Sequence, residues 1–164
     1  RQPIFFGRGN YLFFLKRIHT YLVPCMDMIA YCLMPNHYHL LVRINDGDVS
    51  HAMQLLALSY TMAVNKQRDR VGALFQGAFR SRHVDRDEYL VHLSRYFHLN
   101  PVRAGLAEQP EEWEFSSYRD YLGLRAGRLP RSQIVLSQFS SANAYREFVE
   151  SYVVSERDKI ADML

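Results

Sequence analysis

Near the start of the chain, apolar residues recur at helical spacing: Leu12, Leu15, Ile18 and Leu22, with Lys16, Arg17 and His19 between them. This pattern predicts an amphipathic helix from about Asn10 to Leu22, ended by Pro24 and lying on a sheet. Met26 to Met34 is rich in β-compatible residues, Pro35-Asn36 signals a turn, and His37 to Ile44 alternates, so the pair predicts a β-hairpin. Asp46-Gly47-Asp48 then breaks the strand. Ser50 is placed to cap a helix running to about Lys66, whose apolar positions nearly encircle it and require cover on more than one side.

Further along, Gly72 and Gly77 punctuate a loop, and Phe79 to Val84 alternates as a short strand with Arg80 and Arg82 on one face. Asp85 and Glu88 have the spacing of an N-cap and its partner, opening a helix expected to stop near Asn100 because Pro101 follows. Trp113, Phe115, Tyr118 and Tyr121 fall in a loop or short helix. A Gly/Arg/Pro-rich connection from Gly123 to Arg131 leads to a last helix over Ala142 to Val154. No internal repeat or low-complexity tract interrupts this order.

These elements define an α+β chain. Its 164 residues, 48% hydrophobic and 23% charged, suit one packed domain and exclude disorder as the default. The net charge of +3 is too small to identify a partner, but the basic residues are unevenly spread. From Lys66 to Arg103 the chain carries Lys66, Arg68, Arg70, Arg80, Arg82, Arg86, Arg95 and Arg103 against four acids, and Arg80 and Arg82 could line a nucleic-acid channel. Glu108, Glu111, Glu112 and Glu114 just after it read as a solvated turn. Cys25 and Cys32 fit no zinc or redox spacing and read as reduced, packed thiols. No apolar run reaches membrane-spanning length and no secretory leader is visible, so a cytoplasmic protein without membrane contact is expected.

Candidate chemistry sits on two of these elements. In a strand, residues two apart share a face, so His37 and His39 project side by side and could clamp a divalent metal. His-x-His alone is more often a pair of hydrogen-bonded surface histidines. On the helix after Asp85, residues Tyr89, Leu93, Tyr96 and Asn100 share one face, with Tyr96 and Asn100 one turn apart. A carboxamide oxygen there can complete a metal site begun by two imidazoles, beside a phenol able to act as nucleophile. An unperturbed phenol is mostly protonated at neutral pH, so attack needs charge stabilisation from the metal and from cations such as Arg95 or Arg82. A helical tyrosine taken alone is usually structural, and Tyr89, Tyr118 and Tyr121 are rival candidates.

Three segments, Met34-Pro35-Asn36-His37-Tyr38-His39-Leu40-Leu41-Val42, Arg95-Tyr96-Phe97-His98-Leu99-Asn100-Pro101-Val102-Arg103-Ala104-Gly105-Leu106 and Trp113-Glu114-Phe115-Ser116-Ser117-Tyr118, resemble the REP-associated tyrosine transposases in sequence and order. The resemblance runs from about Arg1 to Gly123 and becomes loose over 124–164, which is expected to be a helical C-terminal extension of one domain. It implies the HUH single-tyrosine nuclease fold, an antiparallel, ferredoxin-like sheet flanked by helices. It also implies His37, His39 and Asn100 as ligands of Mg²⁺ or Mn²⁺ and Tyr96 as nucleophile, while DNA contacts are expected of Arg80, Arg82, Arg95 and Arg103 in the basic stretch.

The implied activity is nicking and strand transfer on single-stranded DNA beside hairpins of repetitive extragenic palindromes. Cutting would leave a tyrosine-linked 5′-phosphate and a free 3′-hydroxyl, with the protein acting as monomer or homodimer. Relatives have a strand just before the segment resembling Arg1 to Phe6, so the chain is expected to be a truncated view of a longer protein, or to receive that strand from a partner. A histidine-triad nucleotide hydrolase fails on its own pattern, because the next alternate position is Leu41. A non-catalytic hairpin-binding derivative and an α+β interaction protein with structural histidines and tyrosines remain as the other readings.

Overall fold

The computed structural model describes residues 2–152; the last two positions of the expected final helix and the rest of the C-terminal extension lie outside the described residues. Helix α1 spans Arg8–Tyr21, strands β1 and β2 span Met26–Met34 and His37–Ile44, and α2 spans Val49–Arg68. Helix α3 covers Asp87–Arg103, followed by a 3₁₀ turn at Pro110–Glu112 and helices α4 (Tyr118–Tyr121), α5 (Gln133–Leu136) and α6 (Ala142–Glu150). The expected α+β class is borne out, with β1 and β2 forming an antiparallel hairpin. No described helix is long and apolar enough to cross a membrane.

The chain divides into two compact units, and the hairpin contributes residues to both. The first comprises residues 1–27, 35–37 and 42–81. Here α1 packs principally on α2 rather than on a sheet. An aromatic cluster accounts for that choice: Phe14 and Phe5 meet edge-on with centroids 5.3 Å apart, and Phe14 meets Tyr60 of α2 at 4.9 Å. The buried Tyr60 hydroxyl donates to the Ile4 carbonyl at 2.7 Å, which ties the segment before α1 to α2. Ile4 and Phe5 in turn donate backbone N–H bonds to the Pro35 carbonyl, at 2.8 and 3.1 Å, and so hold the hairpin turn.

Two sequence expectations change along α2 and the segment after it. Asp48, not Ser50, caps α2: its backbone is extended and its carboxylate accepts from the His51 N–H at 2.9 Å, so the helix begins one residue before Ser50. The stretch Phe79–Val84 forms no strand. Alternation supplied the side-chain pattern, but a strand also needs a neighbouring edge to pair with, and residues 79–83 are solvent-exposed with no ladder among the described residues.

The second unit comprises residues 28–34, 38–41 and 82 onward. Its core joins Ile29, Ala30 and Cys32 of β1 and Leu41 of β2 to Val91, Leu93 and Phe97 of α3. Val135, Tyr145 and Val149 belong to the same core, so residues 124–152 are integral to this unit rather than appended to it. The outer edge of β1 is paired by two short stretches. Leu33 N–H donates to the Phe115 carbonyl at 2.9 Å and Ser117 N–H to the Tyr31 carbonyl at 3.0 Å around an antiparallel bridge. Farther along, Arg131 N–H donates to the Met28 carbonyl at 2.7 Å. The Trp-Glu-Phe-Ser-Ser-Tyr segment is therefore the edge cover of β1, and the Trp113 indole adds a bond to the Leu33 carbonyl at 3.0 Å.

Helix α3 departs from expectation at both ends. Arg86 occupies its N-cap with no side-chain cap bond, so Asp85 and Glu88 do not form a capping box. Asp87 and Glu88 in the first turn instead supply negative charge to the positive end of the helix dipole. At the other end α3 runs through Pro101 to Arg103. Proline removes one donor, whereas Ala104 N–H still reaches the Asn100 carbonyl at 2.9 Å and Leu106 N–H the Pro101 carbonyl at 2.8 Å. Gly105 then terminates the helix at φ 68°, a left-handed conformation suited to glycine.

Candidate active site

Strand β2 begins at His37, and its two-residue periodicity sets His37 and His39 on one face. The Nδ1 of His37 lies 2.6 Å from Oδ1 of Asn36 in the turn. Since a carboxamide oxygen only accepts, Nδ1 carries the proton and Nε2 presents its lone pair, the tautomer a metal ligand requires. His39 is half-buried. Its ring meets the ring of Tyr96 edge-on, at 5.9 Å between centroids, and leans on Phe97 at 5.0 Å.

Tyr96 is thus brought next to one of the two histidines. Its ring is half-buried, and its hydroxyl is not tied to another described residue. The rival phenols are differently placed. Tyr118 is buried and donates to Glu150 at 3.1 Å; Tyr121 is buried and donates to the Ile29 carbonyl at 2.9 Å. Burial pushes the pKa of both above the ordinary phenol range, so neither is suited to ionise or to meet a substrate. Tyr89 is half-buried near the start of α3 with the Arg86 guanidinium 5.4 Å over its ring.

One turn from Tyr96, Asn100 is buried, and its side-chain nitrogen has no hydrogen-bond partner. A buried orphan amide costs free energy that a bound ligand can recover. Two turns from Tyr96, the Arg103 guanidinium stacks 5.2 Å from the centre of the Tyr96 ring and 4.5 Å from that of Tyr152. Arg95 is buried, enclosed between the rings of Phe148 and Tyr152 at 4.3 and 4.4 Å, with Nη2 2.9 Å from Nδ1 of His92. Arg80 and Arg82 are exposed on the irregular stretch before α3. Among the described residues no three His, Cys, Asp or Glu side chains converge, so a metal here would need the carboxamide of Asn100 as the third protein ligand.

A buried polar group that the sequence did not single out fixes α3 in rotation. His98, two residues from Tyr96, is inaccessible to solvent; its Nδ1 lies 2.8 Å from the Tyr145 hydroxyl and its Nε2 2.8 Å from that of Ser117. Ser94, one turn earlier, bonds the same Tyr145 hydroxyl at 2.9 Å. Burial lowers the His98 pKa to about 3, so the ring is neutral, with one nitrogen donating and the other accepting. Two residues along a helix turn through about 200°, so pinning His98 directs Tyr96 away from the core. That angular offset from Tyr96 was the available signal.

Residues 22–100, which contain the hairpin and most of α3, match the family described as "Transposase IS200 like". The chain is also 26% identical over 103 residues to a putative REP-associated tyrosine transposase of Haemophilus influenzae, an alignment spanning 56% of this chain and 58% of that protein. A solved structure of a REP-associated tyrosine transposase bound to a REP hairpin superposes with a TM-score of 0.57, at 20% identity, over 82% of this chain and 77% of the other. The resemblance carried by the three sequence segments is thereby borne out, and the fold is that of the REP-associated tyrosine transposases.

Proposed function

We propose that the chain is a metal-dependent single-strand DNA endonuclease and strand transferase acting beside DNA hairpins, with Tyr96 as nucleophile. The observation that carries this reading is the contact of the Tyr96 ring with His39, on a strand whose periodicity gives His37 the same face. The hairpin substrate is suggested by the related protein described as bound to a REP hairpin.

His37, His39 and Asn100 would hold a divalent ion, Mg²⁺ or Mn²⁺. The donor types fit: with Nδ1 of His37 turned to Asn36, its Nε2 is the nitrogen that would ligate, beside the His39 imidazole and the carboxamide oxygen of Asn100, whose own nitrogen is the unpartnered atom. The chemistry such an ion supplies is polarisation of a non-bridging phosphate oxygen. Tyr96 Oη attacks phosphorus as its proton passes to solvent, and the bond to the 3′-oxygen breaks. The products are a 5′-phosphotyrosine and, once the leaving oxygen is protonated, a free 3′-hydroxyl. Attack by another 3′-hydroxyl reverses the step and releases the phenol. Arg103, stacked on Tyr96, is placed to meet negative charge developing on the phosphate.

The test is adduct formation. With Mn²⁺ and a hairpin-bearing single strand, the wild-type protein is expected to form a covalent protein–DNA species, and Tyr96→Phe to lose it while retaining DNA binding. An adduct that persists in Tyr96→Phe moves the nucleophile elsewhere. Hairpin binding without any adduct in the wild type identifies a binding derivative instead of an enzyme.

A further inference from the structure

Three elements of the second unit meet at one buried ring. His98 projects from α3 into a box of tyrosines, with the rings of Tyr121, Tyr118 and Tyr145 at 4.8, 5.2 and 5.9 Å between centroids. We propose that Tyr145 of α6 and Ser117, in the segment that pairs with β1, are positioning residues for Tyr96. Acting through His98, they set the rotation of α3 and with it the place of the phenol. This inference rests on the reading of Tyr96 as the nucleophile.

The hydrogen bonds around that ring can be followed proton by proton. The Ser94 hydroxyl donates to the Val91 carbonyl at 2.8 Å, so its 2.9 Å contact with Tyr145 Oη uses a lone pair and the Tyr145 proton points to Ser94. Tyr145 Oη then accepts from His98 at 2.8 Å, which puts the imidazole proton on Nδ1. The bare Nε2 accepts from the Ser117 hydroxyl at 2.8 Å, and Ser117 Oγ in turn accepts the Tyr31 N–H of β1 at 3.0 Å. The rival acceptor for the Ser117 proton, the Tyr31 carbonyl, is farther away at 3.3 Å and already takes the Ser117 N–H at 3.0 Å. One directed chain thus runs from β1 through α3 to α6 and back to α3.

The chain grips α3 on the side away from the nucleophile. Ser94 and His98 are four residues apart and share a face, and one hydroxyl, that of Tyr145, bonds both. Tyr96 lies midway between them in sequence, about 200° around the helix from each. A rotation of about 10° would move a side-chain end roughly 6 Å from the helix axis by about 1 Å. A displacement of that size at the reacting atoms can cost about 10²-fold in rate. Loss of the Tyr145 hydroxyl would strand the His98 Nδ1–H in the core, a cost relieved by turning the helix.

Stability alone does not account for this arrangement. Ser94, His98, Ser117 and Tyr145 are all inaccessible to solvent. Apolar side chains of similar volume could fill the same space with little loss of stability, but they pack in more than one way. Bonds at both ring nitrogens fix direction as well as distance, and a fully satisfied buried network specifies a single arrangement. Tyr121 supplies the contrast. It is buried in the same core against the His98 ring, yet its hydroxyl bonds the Ile29 carbonyl of β1 and so does not hold α3.

The experiment compares Tyr145→Phe and Ser117→Ala with Tyr121→Phe in the whole chain, each shown by urea denaturation to be folded at the assay temperature. With Mn²⁺ and a hairpin-bearing single strand, both saturating, the first two variants should form the adduct about 10²-fold more slowly and bind the hairpin as the wild type does. Tyr121→Phe should match the wild type in both. Because Tyr145 and Ser117 act through one ring, the combined variant should lose little more than either alone. Fluorine NMR of fluorotyrosine-labelled protein, without metal or DNA, reads Tyr96 directly. Its signal, assigned by its absence in Tyr96→Phe, should shift or broaden in Tyr145→Phe and Ser117→Ala and stay in place in Tyr121→Phe. Ser117→Ala, which removes one hydroxyl and no ring, carries the test alone should Tyr145→Phe fail to fold.

An equal rate loss in Tyr121→Phe would assign the effect to general loosening of the core and overturn the proposal. So would a Tyr96 signal that stays in place in both Tyr145→Phe and Ser117→Ala, or a wild-type adduct rate in both. The outcomes also separate this inference from the proposed function. A wild type that forms no adduct removes the enzyme, while a displaced Tyr96 signal in the variants keeps the positioning; a wild-type adduct rate that neither variant changes removes only the positioning.

Discussion

The ring of His39 stands nearly perpendicular to that of Tyr96, with planes at 78° and centroids 5.9 Å apart. A strand residue and a helix residue separated by 57 positions are thereby fixed side by side, and the contact also couples their substitution effects. His39→Ala is expected to lower Mn²⁺-dependent adduct yield on the order of 10²-fold, the scale on which one lost electrostatic stabiliser acts on a transition state. Hairpin affinity measured without metal should stay at the wild-type level. Wild-type adduct yield in this variant would remove His39 from the chemistry.

The buried phenol of Tyr121 gives the opposite signature. Tyr121→Phe leaves the Ile29 carbonyl without its 2.9 Å donor, a loss expected to cost about 1–3 kcal/mol of folding stability. Urea denaturation measures that cost, while adduct yield should be unaffected below the unfolding transition. A Tyr121→Phe variant that is fully stable but unable to form the adduct would transfer the nucleophile role away from Tyr96.

The hairpin and the shared face of Tyr96 and Asn100 were legible in the sequence because both are local: strand alternation and helical periodicity act over a few residues. What was not legible depends on neighbours far along the chain. Phe79–Val84 has the alternation of a strand but meets no edge, whereas residues 115–117, with no such alternation, pair with β1 because Tyr31 and Leu33 offer unpaired backbone groups there. Arg95 reads as a surface cation in a basic stretch, yet Phe148 and Tyr152, more than fifty residues later, enclose it. His98 looks like one more polar helix residue until Tyr145 and Ser117 supply its partners.

His98 also makes a prediction about acid stability. Its pKa is about 3 in the fold and close to 6.5 in an unfolded chain, so between those values the unfolded state binds the extra proton. Its contribution is therefore fully present above about pH 6.5 and is lost as the pH falls towards 3, at about 1.4 kcal/mol per pH unit. Urea unfolding at pH 7 and pH 5 should show a difference of roughly 2 kcal/mol from this group. His98→Asn, although less stable at neutral pH, should show a smaller difference. An equally steep pH dependence in that variant would assign the acid sensitivity to other groups.

Arg80 and Arg82 test whether the irregular segment before α3 contacts DNA. Both are exposed on a stretch without strand pairing, a placement that leaves their guanidinium groups accessible to a phosphate backbone. A cation that contacts phosphate displaces condensed counterions, so its removal alters the salt dependence of binding as well as the affinity. Replacing both with alanine is expected to reduce the slope of log affinity against log salt by about 1.4 on a single-stranded substrate, or about 0.7 per contact. The loss should be largest at low salt and narrow as salt rises, and it should be similar for hairpins of different sequence, because phosphate contacts carry no base information. Parallel salt plots for wild type and double variant would remove both arginines from the DNA path, and a loss restricted to one hairpin sequence would make them base-reading residues instead.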